Sequence, residues 1–203
     1  KVLGIEPSSR VADIAIKNGI ETIVDFFTTG IVSKVLEQYG KSSIITATNV
    51  FAHIDDLDNF VTAVKKLLLD DGILVIEAPY LVNLIENLEY DTIYHEHLSY
   101  LSLKPLIPFF EKFGLELFDV EMHSIHGGTM RYFIGKKNQY QKTENINHFL
   151  KIEKEKQIYS ETQLELFSKK VNQHRQKLMN LLYDIKKNGK TISLKFIENQ
   201  RLG

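Results

Sequence analysis

A short apolar run, then apolar residues at helical spacing, then a closing glycine: this order recurs between Val2 and Ala78 and leaves few folds open. Val2 to Ile5 reads as a strand, and the helix after it, carrying Val11, Ile14 and Ala15, runs to Asn18 and stops at Gly19. Thr22 to Phe27 predicts the next strand, Ile31 to Tyr39 a helix closed by Gly40, and Ser43 to Ala47 a third strand. Leu57 to Leu69 has the spacing of an amphipathic helix, with Asp70-Asp71-Gly72 as its turn and Gly72 to Ala78 as a buried strand. Strands separated by helices build a parallel sheet.

Later the pattern changes. Lys104 to Phe113 predicts a helix ended by Gly114, and Leu115 to His123 and Thr129 to Gly135 predict two strands around His126-Gly127-Gly128. Such a pair commonly closes one edge of a parallel sheet. From Asn145 to Lys187, Lys, Glu and Gln are interleaved with Ile152, Tyr159, Phe167, Val171, Leu178, Leu181 and Ile185. That spacing predicts one or two long helices with an apolar stripe, a packing or dimerising arm. Thr191 to Gly203 carries no clear pattern.

With 203 residues, 43% of them hydrophobic and 25% charged, the chain can bury one core and carry an appendage. A net charge of -1 gives no electrostatic reason to expect nucleic acid or an anionic membrane as partner. The absence of Cys excludes disulfides and thiolate metal sites, and fits a cytoplasmic location. Val61 to Leu69, broken by two lysines, is far too short to span a bilayer, and the start at Lys1 does not resemble a signal peptide.

Chemistry concentrates in Tyr90-Asp-Thr-Ile-Tyr94-His95-Glu96-His97-Leu-Ser-Tyr100. Imidazoles, a carboxylate and phenols each need a hydrogen-bond partner when buried, so this is poor material for a sealed core. If extended, the segment turns Tyr94 and Glu96 to one side and His95 and His97 to the other. Paired imidazoles could bind a metal with His53 or a carboxylate; one His could serve as a general base; or the segment could be a polar loop. Ligands of open parallel sheets sit beyond the carboxyl ends of the strands, which singles out Glu6, Asn49 to His53, and the residues after Ala78. An acid at such a strand tip can accept hydrogen bonds from ribose hydroxyls, and Glu6 fits either that role or a solvated turn beside Pro7.

Five motifs occur in order: Val2-Leu-Gly-Ile-Glu-Pro-Ser8, Asn49-Val-Phe-Ala-His-Ile54, Glu77-Ala-Pro-Tyr-Leu81, Tyr90 to His97, and His126-Gly-Gly-Thr-Met-Arg131. Together they resemble the S-adenosylmethionine-dependent sugar C-methyltransferases, which methylate a nucleotide-linked keto-deoxysugar. The resemblance runs from Lys1 to about Lys190. It implies an α/β fold, a Rossmann-like class I methyltransferase sheet lacking its first strand, followed by a long helical arm. Residues 1–140 would form a partial methyltransferase domain, and 141–203 a helical linker and the start of a C-terminal domain. The first strand, its glycine-rich turn and a Cys-rich zinc-binding region would precede Lys1, so the isolated piece is expected to be unstable or inactive.

The resemblance also implies roles. His97 would remove the proton next to the sugar's ketone, with Glu96 orienting it or touching the sugar, and Tyr94 and His53 donating near the keto oxygen. Glu6 would hold the cofactor ribose, Pro7 would shape the adenine pocket, and Asn49 would lie near the methionine part. His126 and Arg131 would face the substrate, Arg131 pairing with a diphosphate. Two alternatives stay open: methylation of oxygen or nitrogen on another small molecule, and a non-catalytic, His-rich metal-binding module. Oligomeric state is not set by these residues.

Overall fold

The computed structural model describes residues 1–193, so the patternless tail from residue 194 onward lies outside the described residues. The chain divides into two compact units, Lys1–Ile158 and Tyr159–Gly203. In the first, β1 (Leu3–Ile5), α1 (Ser9–Lys17), β2 (Glu21–Ile23), α2 (Thr29–Tyr39), β3 (Ser42–Thr48), α3 (Leu57–Leu67) and β4 (Leu68–Pro79) alternate as the sequence predicts. Then come α4 (Leu81–Asn87), α5 (Leu103–Glu111), β5 (Leu115–His123), β6 (Thr129–Lys136) and α6 (Glu144–Glu155).

The strands form two sheets. β1 and β2 pair in parallel, and a four-stranded sheet runs β3-β4-β6-β5. Within it β3 and β4 are parallel, while β6 is antiparallel to both β4 and β5, which is the expected edge pair. Between β1 and β3 a cleft of ≈ 750 Å³ is lined by Leu3 and Ile5 on one side and by Ser43 to Ala47 on the other. The two sheets are held together beside the cleft by α2 and α3: Ile31, Val32, Val35, Ala63 and Leu67 pack against Leu3, Ile5 and Ile23 from one sheet and Ile45 from the other. Apolar burial of this kind contributes about 25 cal/mol per Å² and needs no edge pairing.

One expectation is corrected. Asp70-Asp71-Gly72 is not a turn between a helix ending at Leu69 and a strand starting at Gly72. The helix ends at Leu67 and β4 begins at Leu68, with its register against β3 shifting between the Ser42 and Ile44 pairings. The extra residues bulge outward, which leaves Asp70 and Asp71 exposed while Gly72 is buried. A Cβ at Gly72 would lie 2.9 Å from the Ser42 carbonyl oxygen and 3.0 Å from the Leu69 nitrogen, both backbone atoms. Close approach of two backbones, not turn geometry, is what requires this glycine.

Residues 141–158 belong to the first unit. The Thr143 N–H donates to the Phe118 carbonyl at 2.9 Å, Asn145 Nδ2 donates to Asp119 at 3.0 Å, and Lys142 pairs with Glu116 at 2.9 Å. These bonds dock α6 against β5. The second unit contains α7 (Glu161–Lys187), capped by the Ser160 hydroxyl, which accepts from the Gln163 N–H at 3.2 Å. None of the α7 residues is buried, and Phe167, Val171, Met179, Leu182 and Ile185 are half-exposed at helical spacing. Among the described residues no helix is long and apolar enough to cross a membrane.

Two measurements check this account. Gly72→Ala should lower unfolding free energy in urea by about 1–3 kcal/mol, because backbone must move to admit the methyl group. The Lys142 ammonium holds the Glu116 carboxyl below its ordinary value, so this pair stabilises above the ordinary carboxylate pKa and the contribution is lost as pH falls through the depressed one. Lys142→Met should therefore lower the thermal midpoint at neutral pH and leave it unchanged at about pH 2.

Candidate functional site

Strand ends bring the chemistry together. Glu6 follows β1 directly, and its Oε1 accepts from the Ser8 N–H at 2.8 Å, which fixes the carboxylate at the strand tip; Pro7 beside it is exposed. Asn49 follows β3 with φ of 53°, a left-handed conformation, and its N–H donates to the Glu77 carbonyl of β4 at 2.8 Å. Phe51–His53 then forms a single 3-10 turn whose Phe51 and Ala52 are buried. Phe51 is anchored by Phe60 of α3 and Phe110 of α5, with ring centroids 5.8 and 6.2 Å away.

The segment after β4 returns to this turn. Ala52 offers its carbonyl to the Leu98 N–H at 2.8 Å and to the Ser99 N–H at 3.2 Å, so two motifs far apart in sequence are stitched together. The segment is not extended from Tyr94 to His97, so its side chains do not alternate between two sides. A 3-10 turn at Tyr90–Thr92 leads into a tight turn in which the His97 N–H donates to the Tyr94 carbonyl at 3.0 Å. Tyr94 and His97 therefore face each other, ring centroids 4.4 Å apart, instead of pointing to opposite sides. The imidazoles that pair are His53 and His97, at 4.8 Å, while His95 is exposed. Glu96 has an exposed side chain and contributes its backbone carbonyl to the cluster.

Hydrogen bonding fixes both imidazoles. His97 Nδ1 lies 2.7 Å from the Thr92 carbonyl oxygen, and His53 Nδ1 lies 2.8 Å from that of Glu96. A carbonyl only accepts, so Nδ1 carries the hydrogen in each ring. Neutral His97 thus presents the lone pair of Nε2, 3.3 Å from the Tyr94 hydroxyl, which donates to it. Nε2 is thus the acceptor atom of the ring. Below His97 lies a recess of ≈ 20 Å³ lined by Ala52, Ala78, Leu81, Thr92 and Tyr100 among others. Val50 of the same turn lines the large cleft instead, so the Asn49–His53 segment is a wall shared by the cleft and the imidazole pair.

The remaining expected residues lie on β6 and the turn before it. His126 belongs to the 3-10 turn Ile125–Gly127, whose Gly127 carbonyl accepts from Asn83 Nδ2 at 3.3 Å and Asn87 Nδ2 at 3.0 Å. Gly128 has φ of 130°, and a Cβ there would come within 2.2 Å of Asn83 Nδ2. Arg131 stands opposite Glu77, donating from Nε at 3.0 Å and Nη2 at 2.6 Å, with Glu121 3.8 Å from Nη1. Among the described residues no three His, Asp or Glu side chains are grouped to hold a metal. Sequence reasoning missed Thr92, whose role rests on a backbone carbonyl and leaves no side-chain signal. It also missed Glu153, which repeats the Ile146 position of α6 seven residues on and so stands as an acid on the apolar stripe.

Residues 1–120 match the family described as methyltransferase domain, and residues 124–194 match the one described as C-methyltransferase C-terminal domain. The C-methyltransferase NovU of Streptomyces niveus is 38% identical over 133 residues, which is 66% of this chain and 32% of NovU. The chain therefore spans about a third of the curated relative it matches. Among solved structures, an S-adenosylmethionine-dependent methyltransferase from Anabaena variabilis superimposes with a TM-score of 0.51 at 14% identity, covering 68% of each chain. LepI in complex with S-adenosylmethionine gives 0.51 at 13% identity, covering 68% of this chain and 36% of that one. At these identities the structural likeness concerns the fold.

The fixed tautomers are checked by long-range ¹⁵N NMR above pH 8. His53 and His97 should both appear in the Nδ1–H form, whereas free histidine favours Nε2–H.

Proposed function

This chain belongs to the S-adenosylmethionine-dependent C-methyltransferase family, and from that premise we propose that it is part of an enzyme methylating a carbon next to the ketone of a nucleotide-linked keto-deoxysugar. The observation that carries the proposal is His97: an imidazole whose Nε2 lone pair is aimed by a Thr92 carbonyl and lies beside a phenol and a second imidazole. Methyl transfer to oxygen or nitrogen has less need of such a base. Removing a proton from carbon does need one, and a positioned base is worth about 10²–10⁴ in rate.

The residues present suit the cofactor. Glu6 is fixed by the Ser8 N–H at the tip of β1, where a carboxylate can accept from two ribose hydroxyls, and Asn49 stands at the tip of β3. Pro7 would border the adenine. When bound, S-adenosylmethionine supplies a methyl group activated by a sulfonium charge.

His97 Nε2 takes the proton from the substrate carbon, and the imidazolium that results keeps its Nδ1–H bond to Thr92. As the carbon loses its proton, negative charge gathers on the ketone oxygen. The Tyr94 hydroxyl, released from Nε2, and the His53 ring when protonated at Nε2 are donors for that oxygen, stabilising it by several kcal/mol. Glu96, exposed beside them, is available to a sugar hydroxyl. His126 and Arg131 would bound the far side of the substrate, with Arg131 held by Glu77.

Binding and turnover test this separately. In calorimetry on the whole protein, S-adenosylhomocysteine should bind, and Glu6→Ala should weaken it by about tenfold or more. His97→Asn should leave that affinity unchanged while slowing methyl transfer at least ~100-fold. It should also stop exchange of the sugar's acidic proton with deuterated water. Methylation that survives His97→Asn would assign the chemistry to a different acceptor atom.

A further inference from the structure

A carboxylate with 1% exposure is costly unless its oxygens are met, and Glu153 of α6 is such a group. Its Oε1 accepts from the Leu103 N–H and from the Tyr80 hydroxyl, the latter at 3.1 Å, and its Oε2 accepts from the Lys104 N–H at 3.1 Å. Leu103 and Lys104 open α5, whose first-turn N–H groups lack intrahelical partners and lie at the positive end of the helix dipole. Tyr80 stands directly after β4, where the chain leaves the sheet on a long excursion.

These contacts are the two feet of one loop. Tyr80 bridges to Leu101, and the Leu81 N–H donates to the Leu101 carbonyl at 2.9 Å. Everything between, residues 81–100, leaves the sheet and returns: α4, the Tyr90–Thr92 turn, Tyr94 and His97. Thr92 and Tyr94 belong to the same excursion, so the bond that fixes His97 persists only while the excursion stays folded between its feet.

We propose that Glu153 is a positioning residue for the site, clamping both feet of the excursion so that His97 is held against Thr92, Tyr94 and His53. This rests on the reading of His97 as the base only for its kinetic consequence; the mechanical coupling is independent of it. A core acid serving stability alone would loosen the fold evenly when changed. A clamp loosens the excursion first.

The test is Glu153→Gln in the whole protein, which preserves volume but replaces one acceptor oxygen by an NH₂ group facing an N–H donor. Hydrogen exchange should quicken by about tenfold across residues 81–104 while β4 and β6 keep their protection. The His97 ring signals in ¹⁵N NMR should lose the fixed Nδ1–H form. In the working enzyme kcat should fall about tenfold with the KM for S-adenosylmethionine within about twofold. Exchange that rises equally in β4, β6 and the excursion, with His97 signals unmoved, would overturn the proposal. If Glu153→Gln does not fold, Tyr80→Phe decides: it removes one foot's hydroxyl and should quicken exchange in the same segment, and an unchanged segment refutes the clamp. Lack of methyl transfer by the wild-type protein would refute the proposed function and leave the exchange and NMR outcomes to judge Glu153.

Discussion

Strand β4 is the constraint on which the first unit depends, because it must pair along both edges and bury one face completely. Leu74, Ile76 and Ala78 have no exposure, while β3 bonds one edge in parallel and β6 bonds the other antiparallel. Alternation of this strictness permits a single register, since a slip of one residue would turn Glu77 into the core. The bulge at Asp70 and Asp71 is absorbed at the far end, so the register is regular where β4 delivers its last residues to the site. Glu77 then faces Arg131 across the sheet, and Tyr80 starts the excursion at a fixed height.

From that strand end the site is built largely by backbone carbonyls. Thr92 and Glu96 each orient an imidazole, and Ala52 holds the returning chain. Carbonyls serve well for this purpose because they cannot donate, so the tautomer of each ring follows without any further charge nearby. A carboxylate partner would have favoured the charged form of the ring; a neutral acceptor fixes direction instead.

The cleft between β1 and β3 shows how burial and edge pairing divide the work of holding the sheet. Side chains of α2 and α3 cover both sheets on one face and keep β1 in place by apolar contact, while the cleft-facing edges of β1 and β3 are not paired with each other. Position is thereby retained at the tips, where Glu6 and Asn49 stand, although the hydrogen-bond ladder is interrupted beneath them. This marks β1 and β2, a two-stranded sheet, as the part of the unit with the least backbone support.

By itself the sequence determined the alternating architecture, the antiparallel edge pair, the strand tips that carry Glu6 and Asn49, and the segment in which the chemistry concentrates. Those are local or periodic properties: apolar spacing, closing glycines and residue types that resist burial are written along the chain. It did not determine that β4 starts at Leu68, because Asp70-Asp71-Gly72 has turn composition and only a neighbouring Ser42 carbonyl makes Gly72 a contact point. Nor did it determine that His97 pairs with His53 and Tyr94 instead of alternating with them. A tight turn brings Tyr94 to His97, but the pairing with His53 comes with a bond across 43 residues, between His53 and the Glu96 carbonyl, just as α5 meets Glu153 across 50. Such contacts have no local signature, and only the packed tertiary structure decides which distant backbone group lies within reach.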